Sequence, residues 1–433
     1  NVEEVVGSSL ADDITAADTG STLRGGSGSD TLRGGIGVDQ LFGDGEDDIL
    51  EGGGGADAID GGAGVNDIVS YENSAAAVTV NLLTGVNTGG DAQGDTIVNV
   101  ENITGSSNDD SLTGNTIANT IRGGDGNDLI EGGGGGDIIF GGGGIDTATY
   151  VNSAQAVTIN LSNSANFGGD ALGDQLNEIE NVTGSTFNDS ITGDNQNNTL
   201  DGGDGDDFLE GLGGADVLTG GTGTDTASYQ SSASGVTVSL LTNTGSGGDA
   251  QGDIFFDIEI IEGSEFDDTL TSAAGGSTLF GEGGDDTIIG DAGIDTLFGG
   301  DGNDTFFGGD EADVISGDNG NDILHGEGGN DTLNGGDGDD TFRGGAGADS
   351  YFGGNDSDTA DYSLSDAAVT VNLQAGTGTG GTAQGDTYDS IENIIGSDFD
   401  DTLTGDTGEN VIDGGEGNDT LTGRISFEEL DVG

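Results

Sequence analysis

A nine-residue pattern, G-G-x-G-x-D-x-(apolar)-x, runs through eleven registers from Gly263 to Asp361 without an insertion. Three consecutive registers are GGDGNDTFF from Gly299, GGDEADVIS from Gly308 and GDNGNDILH from Gly317. They place Asp304, Asp313 and Asp322 at position 6 and Phe306, Ile315 and Leu324 at position 8. Glycine accepts positive φ, so positions 1 to 4 turn tightly while aiming successive carbonyl oxygens inward. Positions 7 to 9 predict a short strand whose middle side chain faces inward. Two registers then form one 18-residue coil, with a strand on each side and a turn at each end. Stacked coils pair their strands in parallel and bring the Asp-bearing turns into line. Carbonyls and carboxylates are hard oxygen donors, the set that calcium selects. Each calcium is expected between two turns on the same edge, 18 residues apart.

Composition explains why a metal is needed. The 433 residues include 93 glycines and only 31% hydrophobic residues, too little core to offset the chain entropy of that length. Eighty-three acidic residues against five arginines give a net charge of -78, which excludes nucleic-acid binding through a basic patch and calls for a cationic partner. Cysteine is absent, so there is no disulfide framework, thiol nucleophile or thiolate metal site. No apolar run approaches the roughly 18 residues of a membrane helix, so no transmembrane segment is expected.

The remaining chain reads as shorter copies of the long block separated by spacers. Nonapeptide blocks are expected at 1–70, 105–149, 184–228, 263–361 and 396–433, with spacers at 71–104, 150–183, 229–262 and 362–395, all in one continuous solenoid. The candidate calcium ligands are the position-6 aspartates. In the first block they are Asp12, Asp30, Asp39, Asp48, Asp57 and, after a one-residue insertion, Asp67. The second block supplies Asp110, Asp128, Asp137 and Asp146, and the third Asp189, Asp207, Asp216 and Asp225. The long block supplies Asp268, Asp286, Asp295, Asp304, Asp313, Asp322, Asp331, Asp340, Asp349 and Asp358, and the last block Asp401 and Asp419. The second register of every block departs, with Ser21, Asn119, Asn198, Ser277 or Asn410 at position 6, and the final register has Glu428. Weakened or empty sites at those second turns would divide the row of ions; Asn and Ser also complete turns by hydrogen bonding.

Each spacer opens on a tyrosine. Tyr71, Tyr150 and Tyr229 are 79 residues apart and Tyr362 follows at 133, so the third unit is longer by 54 residues, or six registers. Lengthening by whole coils is what a solenoid permits, because each coil contacts only its neighbours. Val78 to Leu82, Val157 to Leu161, Val236 to Leu240 and Val369 to Leu373 alternate apolar and polar residues as half-buried strands do. The spacers are therefore expected to form about two broader coils each, with the tyrosine in a core that changes width. A G-G-D-A-x-G-D turn, carrying Asp91 and Asp95, Asp170 and Asp174, or Asp249 and Asp253, suits either a further calcium turn or a solvated loop. The fourth copy has Thr382 in place of the first Asp.

With about 32 registers, the chain resembles the RTX family of secreted bacterial proteins and their calcium-loaded β-roll. The resemblance implies an all-β fold, a right-handed parallel β-roll or β-helix solenoid with calcium-binding turns. It also implies type I export of an unfolded chain that folds on calcium outside the cell, as a structural, adhesive or surface-forming rod, with self-association into a filament or layer as a further possibility. The alternative it leaves open is the non-catalytic module of a secreted protease, lipase or epimerase. The chain opens at Asn1 in mid-pattern and contains no Met, so it is expected to be a piece of a longer protein with an export signal beyond Gly433.

Catalysis finds little support in the sequence. The only histidine, His325, stands at the outward position 9, and no H-E-x-x-H or G-x-S-x-G motif occurs. Threonines at position 7, among them Thr269, Thr287, Thr305 and Thr341, would form outward files of the kind seen in ice- or glycan-binding solenoids, but Thr is also a good strand residue.

Overall fold

The computed structural model describes residues 4–423. Residue contacts gather into two compact units, Asn1–Gly211 with Asp216–Asp225, and Leu212–Ala215 with Thr226–Gly433. Each unit is a parallel β-solenoid. The described residues contain strands and four short 3-10 turns but no α-helix.

The 18-residue coil sets the pairing. In the first unit Leu23 faces Leu41 and Leu41 faces Ile59 along one face, while Leu32 faces Leu50 along the other, all in parallel strands. In the second unit Phe306 faces Leu324 and Leu324 faces Phe342 on one face, and Ile315 faces Leu333 on the other. These position-8 side chains are wholly buried and form the core between the two faces. Many strands run further than the expected three residues: Thr22–Ser27 and Thr332–Asp337 continue through position 9 into the glycines of the next register. Pairs such as Gly336 with Gly354 hold the start of each turn in the sheet.

The expected outward files are only partly regular. Thr269, Thr287 and Thr305 adjoin one another, but Ile323 interrupts that file before Thr341, and Val314 separates Thr296 from Thr332 in the other. His325 was expected to face solvent. Instead it is half-buried and stacked on Phe307 at 4.9 Å, because side chains at position 9 are brought together by the coil repeat.

The spacers depart most from expectation. Val78 and Val80 are buried around the strand Thr79–Asn81 as anticipated, but this strand pairs forward, with Ser111–Asn115 of the next block. The following strand, Thr96–Val98, pairs backward with Ala58–Asp60. Between them the chain reverses: Thr79 and Thr88 exchange hydrogen bonds across an antiparallel bridge. The third spacer repeats the reversal with Thr237–Ser239 antiparallel to Thr244–Ser246, and the fourth with Thr370–Asn372 antiparallel to Thr377–Thr379. Gly85, at positive φ, admits the bend, and Gly89 and Gly90, also at positive φ, start the 3-10 turn that follows. A spacer is thus one coil joined to a strand that reaches ahead and doubles back, rather than two broad coils. Glu428 and the other residues beyond 423 lie outside the described residues.

Candidate metal centre

The sheet register stacks the position-6 aspartates in files along the turns. All the candidate aspartates are buried except Asp12 and Asp419, which are half-buried. Within a file the main-chain N–H of each Asp donates to Oδ1 of the Asp one coil later. Asp30 donates to Asp48 at 2.7 Å, Asp286 to Asp304 at 2.8 Å, Asp304 to Asp322 at 2.7 Å and Asp313 to Asp331 at 2.9 Å. One carboxylate oxygen of each pair is therefore consumed in holding successive turns together.

The other oxygen is left over. Oδ2 of Asp30, Asp39, Asp48, Asp57 and Asp67 is buried with no hydrogen-bond donor, as is Oδ2 of Asp128, Asp137, Asp146 and Asp207. The same holds in the long block for every position-6 aspartate from Asp286 to Asp358. Burying an unpaired anionic oxygen is costly unless a cation meets it. Most such oxygens also lie beside a main-chain carbonyl: a Cβ built on Gly308 would stand 2.8 Å from Asp313 Oδ2 and 2.8 Å from the carbonyl oxygen of Gly326, one coil on. Glycine at position 1 keeps this oxygen-lined cradle clear.

Burial without a counter-charge raises the carboxyl pKa values. Asp286 is pushed up to about 8, first by burial and then by the neighbouring charges of Asp304 and Asp268. Burial lifts Asp48 and Asp128 to about 7, with like charges from the adjacent coils adding to it. An apolar setting disfavours the charged form, and a row of carboxylates disfavours it further. Among the described residues no three His, Cys, Asp or Glu side chains converge as a metal cluster, because each turn contributes one carboxylate and its remaining donors are main-chain oxygens. An all-oxygen, anionic, flexible donor set fits calcium rather than a metal that demands nitrogen or sulfur ligands.

Models of known families match residues 6–68, 113–148, 177–227, 262–360 and 387–424 through overlapping copies of the RTX calcium-binding nonapeptide repeat. The chain belongs to the RTX calcium-binding nonapeptide repeat family. A search of curated proteins finds no match. As in the sequence reading, the RTX registers supply the position-6 aspartates, and the structure brings them together in files.

Sequence reasoning missed how the RTX files end. The second Asp of each G-G-D-A-x-G-D turn is buried rather than part of a solvated loop. Asp95 accepts the N–H of Asp57 at 2.9 Å through Oδ1 and the Tyr71 hydroxyl at 2.9 Å through Oδ2. Tyr150 with Asp174 and Tyr362 with Asp386 repeat the arrangement. In three of the four spacers the other file passes to a glutamate: Glu101, Glu180 and Glu392 accept the N–H groups of Asp67, Asp146 and Asp358. The presence of Asp386 in the fourth copy, where the first Asp has become Thr382, was the available signal that the second Asp matters more.

Away from the turns, a cavity of about 270 Å³ lies beside His325. Of its charged lining residues Glu327, Arg343 and Asp361, the last two are paired, Nε to Oδ2 at 2.7 Å, and burial lowers the pKa of His325.

Proposed function

We propose that this chain is an RTX segment of a secreted bacterial protein, exported unfolded and folding outside the cell on calcium into a structural or adhesive element without catalytic activity of its own. One observation carries the reading: buried, donor-less carboxylate oxygens recur on successive coils of both units. Carboxylates one coil apart repel by about 1 kcal/mol per pair even in water at ~5 Å. Little apolar burial opposes that repulsion, so calcium supplies the stability the core lacks. A cytosol poor in free calcium then keeps the chain unfolded, and extracellular calcium, roughly 0.1 to 1 mM for modules of this kind, folds it. The lack of catalysis rests on the pairing of Arg343 with Asp361 and on the stacking of the lone His325 against Phe307.

The test is expression of the chain with its natural C-terminal continuation in cells carrying a type I exporter. The expected result is extracellular protein that becomes protease-resistant only when calcium is present and then adheres to cells or to itself. Protein that folds in the cytosol, or that stays protease-sensitive in millimolar calcium outside, overturns the reading.

A further inference from the structure

The turns fall into two classes, separated by the backbone at position 2. In most registers position 2 is left-handed, whether or not it is glycine: Gly26, Asp44, Gly124 and Glu282 have φ of 110°, 71°, 123° and 76°. These are the turns whose position-6 Asp has a bare Oδ2. In the first two registers of each block, no position-2 residue is among those with positive φ. In nine of these ten turns, all but that of Ser21, the N–H of position 2 points into its own turn and meets the position-6 side chain. Ser8 donates to Asp12, Ser106 to Asp110, Ser185 to Asp189, Ser264 to Asp268 and Ser397 to Asp401. Asn115, Asp194, Ala273 and Asp406 donate in the same way to Asn119, Asn198, Ser277 and Asn410. In four of the first registers the serine hydroxyl also donates to the other carboxylate oxygen, at 2.9 Å in the Ser106, Ser185, Ser264 and Ser397 turns. The main-chain N–H just before the preceding spacer strand completes the set, Val78 to Asp110 at 2.7 Å and Val236 to Asp268 at 2.6 Å.

We infer that calcium fills only the left-handed turns, and that in the first two turns of every block a protein N–H or O–H stands where the ion stands elsewhere. Asp12, Asp110, Asp189, Asp268 and Asp401 are then structural hydrogen-bond acceptors rather than calcium ligands. The tyrosine-capped Asp95, Asp174 and Asp386 belong with them, because their second oxygen holds a phenol. Each spacer with the two turns after it is consequently a stretch without ions, and the calcium rows are interrupted there on both edges. The inference rests on the proposed calcium reading of the bare-oxygen turns. The physical logic is substitution: a carboxylate with all its lone-pair partners supplied gains little from a metal, whereas one with none gains the full value of an ion pair.

The experiment compares two isosteric changes in the full chain, Asp268→Asn and Asp286→Asn, by bound calcium per chain from equilibrium dialysis and by the calcium midpoint of the circular dichroism transition. Asp110→Asn and Asp128→Asn repeat the comparison in the other unit. Asp268→Asn and Asp110→Asn are expected to keep the parent stoichiometry, since no ion is lost, although the amide NH2 now faces the donors that Oδ1 served and the midpoint shifts with the fold's stability. Asp286→Asn and Asp128→Asn are expected to lose at least one ion and to raise the midpoint severalfold. Equal ion loss in both members of a pair overturns the inference while leaving calcium binding intact. A parent chain that binds no calcium overturns the proposed function along with it.

Discussion

The hydroxyl of Tyr150 donates to Asp174 Oδ2 at 3.0 Å, while Asp174 Oδ1 accepts the main-chain N–H of Asp137 at 2.8 Å. A spacer residue thereby takes the next place in a file of nonapeptide aspartates and closes it with a neutral donor. Tyr150→Phe removes that donor and leaves a buried acceptor unpaired, at a cost of about 1 to 3 kcal/mol. Thermal melts in saturating calcium should show the loss, and extra calcium should not restore it. A melting temperature equal to the parent's would mean that the phenol is dispensable.

Chelation should unfold both units. Circular dichroism in a chelator is expected to show coil, and added calcium should convert it to β structure at roughly 0.1 to 1 mM. A β signal that survives chelation would defeat the dependence on metal.

The pH response of the calcium-free chain follows from the raised carboxyls. Asp286 and Asp48 stand at about 8 and about 7 in the fold, against 3.8 when unfolded. A group whose folded pKa is raised contributes stability that is fully present below its unfolded pKa and lost as pH rises through the folded one. In calcium-depleted buffer, β content should therefore increase on acidification from pH 8 towards pH 5. With calcium present the sign reverses, because protons and calcium compete for the same oxygens, and the calcium midpoint should rise as pH falls. A calcium-free signal flat between pH 8 and pH 5 would contradict the burial of these groups.

Two changes in the long block separate a ligand from its surroundings. Asp313→Ala deletes a carboxylate whose Oδ1 holds the N–H of Asp295 at 2.9 Å and whose Oδ2 has no donor. The calcium midpoint should rise severalfold, with new proteolytic cuts within the long block, because each coil depends on the next. Ser277→Ala, at a turn without a carboxylate, should move the midpoint little. Equal and small effects at the two positions would mean independent sites.

Gly308→Ala keeps every ligand but puts a methyl group 2.8 Å from both Asp313 Oδ2 and the Gly326 carbonyl oxygen. It should raise the calcium midpoint about as much as Asp313→Ala does. An unaffected midpoint would place the ion elsewhere in the turn.

The coil was legible because Leu23, Leu41 and their equivalents recur at a spacing that has one structural solution, and the aspartates follow at a fixed offset. The direction of the spacer strands was not. Alternation at Val78 and Val80 places two side chains inward whichever way the neighbouring strand runs, so nothing local distinguishes a parallel coil from the reversal at Thr79 and Thr88. The two turn classes were half-visible. Ser106 and Ser264 at position 2 mark the closed turns, but Asp44 and Glu282 adopt left-handed backbone without being glycine, so residue type alone does not sort them.

The forward-reaching strand Thr79–Asn81 has a consequence for a chain that emerges end first. With the end that carries the expected export signal leading, its partner Ser111–Asn115 and the carboxylate that receives the Val78 N–H, 32 residues downstream, are already outside, but Thr96–Val98 has to wait for Ala58–Asp60. Coils of the following block can stack as they come out, but assembly must pause until the end of the preceding block has cleared the exit. Pulled from the same end, the reversed segment has to release its partners on both sides before the next coil is loaded. For a chain exported in this way the spacers would act as checkpoints in vectorial folding and as latches under tension.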